Sequence, residues 1–143
     1  MDDVLAINAE NSFTYVGNDS TSIVEEGPSV YNIKHRAYYF SRDIVLFIGK
    51  QKFDKIHFSI FDQLLRSATS IGANLVEGIG GASRNDFIKF YVIALKSANE
   101  TKYWLTLIKD TMDADLLVLR NFIKEADEIS KIIATIIINT KNY

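Results

Sequence analysis

Apolar residues in this chain recur at the spacing of one helical face. From Ile60, the positions Leu64, Ala68, Ile71, Leu75 and Ile79 follow at steps of four, four, three, four and four. That is the period of an α-helix burying a single stripe. The spacing predicts a helix from about His57 to Ile79, ended by Gly78, Gly80 and Gly81. Ser83, with Asp86 three residues on, caps a further helix that runs to about Lys109. Its seam is Phe87, Phe90 or Tyr91, Ala94, Ala98, Thr101, Leu105 and Ile108. Asp113-Ala114-Asp115 opens a last helix, Leu116 towards Asn139, with Leu119, Phe122 or Ile123, Ala126, Ile129, Ile133, Ile136 and Ile137 in period. The isoleucines at its end favour strand by propensity, but the unbroken helical period from Leu116 outweighs them.

Upstream, the helical pattern begins after Gly27-Pro28-Ser29, a strong turn signal. A first helix is predicted from Val30 to Lys50, capped by Ser29 and ending near Gly49, with Tyr31, Ala37, Tyr38, Val45 and Ile48 as apolar positions. Four long helices with short links read as an all-α, antiparallel up-down-up-down four-helix bundle over residues 30–143. Residues 1–29 are different: Asn, Asp, Ser and Thr dominate, and Phe13 and Tyr15 alternate as in a short extended piece. They read as a leader, or as an extra N-terminal arm docking on the bundle or on a neighbouring subunit.

The third helix carries more apolar surface than one seam needs. Ile88, Val92, Leu95 and Tyr103 fall in a separate band of the helical wheel. An exposed apolar stripe marks an interface, so the chain is expected to form a closed homo-oligomer. The alternative is a wider seam that contacts two neighbouring helices of the same bundle.

Composition narrows the chemistry. One proline and seven glycines in 143 residues leave few turns for a sandwich or barrel. Absence of cysteine excludes disulfides, thiolate zinc sites and cysteine nucleophiles. No apolar run is long enough to span a membrane, and Met1-Asp2-Asp3 does not begin a signal peptide. A cytoplasmic location is expected. The net charge of −2 is unevenly spread. Asp2, Asp3, Glu10, Asp19, Glu25 and Glu26 lie in the first 29 residues, with no Lys or Arg among them. The remainder holds all 16 basic and the other 12 of the 18 acidic groups, a net of +4.

From Gln63 to Leu105, Gln63, Arg66, Ser70-Ile71, Asn74, Glu77-Gly78, Ser83, Phe87, Phe90, Ala94, Ser97 and Glu100 stand in register across a helical hairpin. This stretch resembles the bacterial four-helix-bundle family first recognised as proteins encoded in intervening sequences of 23S ribosomal RNA genes. The resemblance implies an antiparallel bundle, commonly a homopentamer. It extends to the accessory protein of diversity-generating retroelements, a basic pentameric barrel that binds a reverse transcriptase and nucleic acid. The chain departs from that pattern at Gly81, where relatives often carry Arg, at Lys96, where they often carry Gly, and at Asp54, where a proline is expected.

Candidate chemistry is sparse. Arg66, Asn74 and Glu77 project to similar azimuths of the second helix, and Glu100 of the antiparallel third helix is placed to face them. A buried arginine with two carboxylates would fix helix register and subunit contacts, and Glu77→Gln is expected to loosen assembly. Neither glutamate has a histidine three residues on, so no di-iron motif is present. His35 and His57 are the two histidines, and no nucleophile motif surrounds either. His57 reads as a surface residue. Gly78-Ile79-Gly80-Gly81 precedes a helix N-terminus but lacks the strand and the Lys-Ser/Thr of a phosphate loop. It reads as a connector needing positive φ. Arg84, Lys102 and Lys109 share one azimuth of the third helix, and Lys89 and Lys96 another. Each set is simplest as a solvated edge, and repetition around a ring would make it a nucleic-acid surface. The sequence therefore points to a non-enzymatic oligomeric scaffold or adaptor, with no catalytic site, metal or cofactor. Its expected partners are copies of itself and a protein partner. The alternative is a nucleic-acid-binding accessory protein of a mobile element.

Overall fold

The structure is a computed structural model that describes residues 5–7, 13–15 and 30–143. Four helices follow one another: α1 (Val30–Lys50), α2 (Lys55–Ile79), α3 (Arg84–Thr111) and α4 (Leu116–Lys141). Before them, β1 (Leu5–Ile7) and β2 (Phe13–Tyr15) pair antiparallel, with Leu5 opposite Tyr15. The Ser29 cap, the Tyr31 side chain and the acidic residues of 1–29 lie outside the described residues.

The helix starts follow the predicted chemistry. The Ser83 side chain accepts a hydrogen bond from Asp86 N at 3.1 Å, and the Asp115 side chain accepts one from Val118 N at 3.1 Å. Each satisfies a backbone donor that the first helical turn leaves open. Short connectors make sequential helices antiparallel neighbours. The α2–α3 interface is the most extensive, followed by α3–α4 and α1–α2, and α1 closes on α4.

The core contains Leu64, Ala68, Ile71 and Leu75 of α2, Tyr91, Ala94, Ala98, Leu105 and Ile108 of α3, and Leu119, Ala126, Ile129 and Ile133 of α4, all fully buried. These are the predicted seams. Removing one such leucine or isoleucine from water contributes about 1.5–3 kcal/mol. In α1 the phase differs from prediction. Ile33, Ala37, Phe40, Ile44 and Phe47 face the core, while Val45 is exposed and Ile48 only half-buried. Tyr38, Tyr39, Val45 and Leu46 add apolar groups off the inward stripe, so period alone does not select it. Contact with α4 selects it: the Phe122 ring meets Phe47 at 5.4 Å and Phe40 at 6.1 Å, both edge-on.

The glycine-rich link between α2 and α3 also differs from expectation. Gly80 ends α2 with φ −77°, an ordinary right-handed conformation. The glycines serve close approach. A Cβ at Gly78 would sit 2.9 Å from Cδ1 of Tyr91, and one at Gly81 would meet Cβ of Asp86 and the Gly78 carbonyl oxygen at 3.1 Å. Without a side chain at 78, the Tyr91 ring lies against α2 and stacks on Phe87 at 4.0 Å.

Candidate interaction surfaces

The α2–α3 seam is lined with small polar side chains. Thr101 Oγ1 and Ser67 Oγ lie 3.0 Å apart, and Thr101 Oγ1 also donates to Ser97 O at 2.7 Å. Ser97 Oγ donates to Ser70 Oγ at 3.0 Å, and Asn74 Nδ2 donates to Ser70 Oγ at 2.9 Å and Ser70 O at 2.8 Å. Ser67, Ser97 and Thr101 are buried. Their hydroxyls satisfy one another and let the two helices pack closely.

Of the four residues predicted to form one polar network, only Asn74 joins this seam. Arg66, its side chain 74% exposed, donates to Asp62 of the preceding turn at 3.0 Å. Glu77 is exposed, and exposed Glu100 accepts from Trp104 Nε1 at 3.1 Å. The subunit therefore does not assemble the buried arginine–carboxylate group. Arg66 and Glu77 stand at the solvent edge of α2, and the Ser67–Thr101 and Ser70–Ser97 pairs fill the space between the helices.

The predicted second apolar stripe of α3 is also resolved differently. Ile88, Val92 and Leu95 are half-buried and pack on the core within the subunit. The physical reason is that α3 lies between α2 and α4 and needs an apolar arc on each side. Tyr103 alone of the four is exposed, at 61%. Its ring is held edge-on to Trp104 at 5.0 Å.

Exposed apolar side chains stand on the α1–α2 hairpin, as they do at Leu116 and Leu117 of α4. Val45 and Leu46 of α1 are 47% and 55% exposed, and Ile56 and Phe58 of α2 are 77% and 64% exposed. They flank the four-residue link 51–54, where Phe53 stacks on buried Phe61 at 4.5 Å. The pattern along α1 contained Val45, but assigned it to the core.

A groove of about 540 Å³, lined by aromatic and charged side chains, lies between α1 and α4. Arg36 Nε donates to Glu125 Oε1 at 2.5 Å, its Nη2 donates to Glu125 Oε2 at 2.8 Å, and Nη2 also bonds Glu128. The two carboxylates, Glu125 first, hold the guanidinium above its ordinary pKa. Asp43 lines the same groove, which is acidic in balance. Sequence reading missed Arg36 because its partners stand 89 and 92 residues away. Glu125 and Glu128, three apart on one helical face, were the visible half of the signal.

The adjoining α3–α4 face is basic. Lys102 Nζ donates to Asp127 Oδ1 at 3.2 Å and Ser130 Oγ at 3.3 Å, and Lys131 pairs with Asp127 Oδ2 at 2.8 Å. Lys131 first, then Lys102, holds the Asp127 carboxyl below its ordinary pKa, while Asp127 raises that of Lys131. Arg120, Lys124, Asp127 and Lys131 recur at steps of four, three and four, so all four share the α4 face that meets Lys102. The sequence reading placed Lys102 here but not the three α4 cations, which become neighbours only through the antiparallel turn at 112–115. The other predicted cations separate. Arg84 donates to Tyr143 O at 2.7 Å and to Thr140 O, capping the end of α4. Lys109 is half-buried and pairs with Asp110 at 3.3 Å. Lys89 lies 6.0 Å from the Phe90 ring, and Lys96 is exposed.

His57 is half-buried, in a groove of about 400 Å³ with Lys52, Asp54 and Asp113, rather than fully on the surface. Among the described residues, no group of three or more His, Asp or Glu side chains is placed to hold a metal ion, and no helix is long and apolar enough to cross a membrane.

Residues 30–135 match the 23S rRNA-intervening sequence protein family. A crystal structure of a protein of unknown function from the S23 ribosomal protein family of Bacteroides thetaiotaomicron is similar at TM-score 0.70 and 36% identity, over 76% of this chain and 96% of that one. No curated protein matches the chain.

Proposed function

Because the chain belongs to the 23S rRNA-intervening sequence protein family, we propose that it is a non-enzymatic oligomeric scaffold that presents a ring surface to a protein partner. The observation that carries this reading is the apolar band of Val45, Leu46, Ile56 and Phe58 at one end of the α1–α2 hairpin. Large apolar side chains exposed to water are costly, and a second copy of the chain covers them. Resemblance to pentameric relatives sets the expected subunit number at five. The test is Phe58→Lys, which places a charge in the band without touching the core. The expected result is a shift from oligomer to the 16.2 kDa chain by light scattering, with helicity unchanged. An oligomer of unaltered mass and concentration dependence would remove the hairpin from the interface.

A second reading, a nucleic-acid-binding accessory protein of a mobile element, is supported by the cationic α3–α4 face. Retention on nucleic acid that falls steeply with salt is the expected behaviour.

A further inference from the structure

We infer that the outer face of α4 is a docking surface for an acidic amphipathic helix of a protein partner, seated between Leu117 and Ile138. This inference rests on the scaffold reading above and states the chemistry of its partner.

Leu117, Lys124, Lys131 and Ile138 stand seven residues apart on α4, and Arg120 and Asp127 lie between them at steps of three and four. All six fall within about 80° of one another around the helix. Three-four spacing kept over three heptads is the register in which one helix packs along another. Here it faces outward, because the opposite side of α4 supplies Leu119, Ala126, Ile129 and Ile133 to the core. The ends of the stripe are apolar. Leu117 is 69% exposed, with Leu116 beside it at 46%, and Ile138 is 58% exposed. The middle is cationic. Arg120, Lys124 and Lys131 are exposed, and Lys102 of α3 reaches Asp127 from the side. Among the described residues, Arg120 and Lys124 form no ion pair. Asp127 and Glu128 both act on Lys131, but Glu128 is bonded to Arg36 in the α1–α4 groove. A wholly apolar partner would strip these cations of water without supplying opposite charge, which is costly. Carboxylates at the middle of the partner remove that cost, and apolar residues at its ends cover Leu117 and Ile138. A second copy of α4 does not fit. Laid antiparallel, it sets Lys124 against Lys131 twice; laid parallel, it sets each lysine against its own copy, and like charges repel. A nucleic acid would neutralise the cations but leave the exposed leucines and Ile138 uncovered. An acidic helix of about 22 residues spans the roughly 32 Å from Leu117 to Ile138.

The test is fluorescence anisotropy with the full chain and a labelled synthetic helix of about 22 residues. Its heptad seam carries leucine at both ends and glutamate between them. A companion peptide carries lysine in place of those glutamates. The glutamate peptide is expected to bind, and the lysine peptide to bind at least about tenfold more weakly. Lys124→Glu with Lys131→Glu is expected to reverse that preference, so that the lysine peptide becomes the tighter of the two. Loss of a merely structural contact does not reverse it. Leu117→Ser with Ile138→Ser is expected to weaken the glutamate peptide roughly tenfold at unchanged salt dependence. Arg66→Glu, at an exposed position of α2, serves as the control and is expected to change affinity less than about twofold. Circular dichroism establishes that each variant is folded. Equal binding of the two peptides, or a charge-reversed variant that keeps its preference for glutamate, overturns the inference. Light scattering on the same samples keeps the scaffold reading separate. An oligomer that binds neither peptide overturns the docking surface and leaves the scaffold standing, whereas a monomer that binds the glutamate peptide upholds the docking surface and overturns the oligomer. A single-stranded RNA or DNA bound when the glutamate peptide is not, with Leu117→Ser and Ile138→Ser silent, overturns the inference in favour of the nucleic-acid reading.

Discussion

At Gly78 two effects oppose each other. Alanine is preferred over glycine in a helix by about 1 kcal/mol, but its Cβ would lie 2.9 Å from an aromatic carbon of buried Tyr91. A packed ring gives way less readily than a flexible chain end, so the clash wins. Gly78→Ala is expected to lower stability by about 1–3 kcal/mol in chemical denaturation. Tyr91 itself is fully buried, and its hydroxyl has no hydrogen-bond partner. Burial accordingly pushes its phenol pKa above the ordinary value. Tyr91→Phe is expected to leave stability unchanged or raise it by up to about 1 kcal/mol. A decrease of comparable size would show that the hydroxyl is bonded in solution. Asp127 has a sign fixed by its shift. Its folded pKa is lowered by Lys131 and Lys102, so its contribution is full above the unfolded value of about 4 and fades as pH falls through the lower folded value. Asp127→Asn is expected to flatten that acidic part of a pH–stability profile.

At the scale of elements, legibility followed the sharpness of each stripe. In α2 and α4 small or polar residues bound the apolar seam, so the period fixed both helix and phase; in α3 the seam was placed correctly although a second apolar arc flanks it. Ser83 and Asp115 were visible as caps because capping depends on local sequence alone. In α1, Tyr38, Tyr39, Val45, Leu46 and Ile48 surround the helix with apolar groups, and the inward stripe is chosen by Phe122 of a helix far along the chain. The glycine link was recognised as a connector, but its glycines answer to Tyr91 and Asp86 across the turn rather than to positive φ. The polar network was legible only through Asn74. Projecting side chains to similar azimuths did not separate the inner edge of α2, where Asn74 meets Ser70, from the solvent edge, where Arg66 meets Asp62. The buried hydroxyls give a test at this scale. Thr101→Val keeps volume but removes the bond to Ser67, and is expected to cost about 1–2 kcal/mol in a urea melt. Ser67→Ala combined with Thr101→Val is expected to cost less than the two changes summed, because both remove the same hydrogen bond.

The whole molecule segregates its surfaces. Its α1–α4 groove is acidic in balance around Arg36, its α3–α4 face is cationic, and exposed apolar side chains flank the link of its α1–α2 hairpin. The sequence showed an excess of positive charge after residue 29, but its cations were grouped only along α3, although the short link at 112–115 already made α3 and α4 antiparallel neighbours. It showed an excess of apolar surface and placed it on α3, where the fold uses it internally. The proposed self-association accordingly moves to the hairpin. The most direct test is solution mass by size-exclusion chromatography with light scattering, at low and high salt. The account predicts a homo-oligomer, a pentamer by resemblance, whose mass does not fall in high salt because apolar burial holds it together. A monomer of 16.2 kDa at every salt concentration would contradict it.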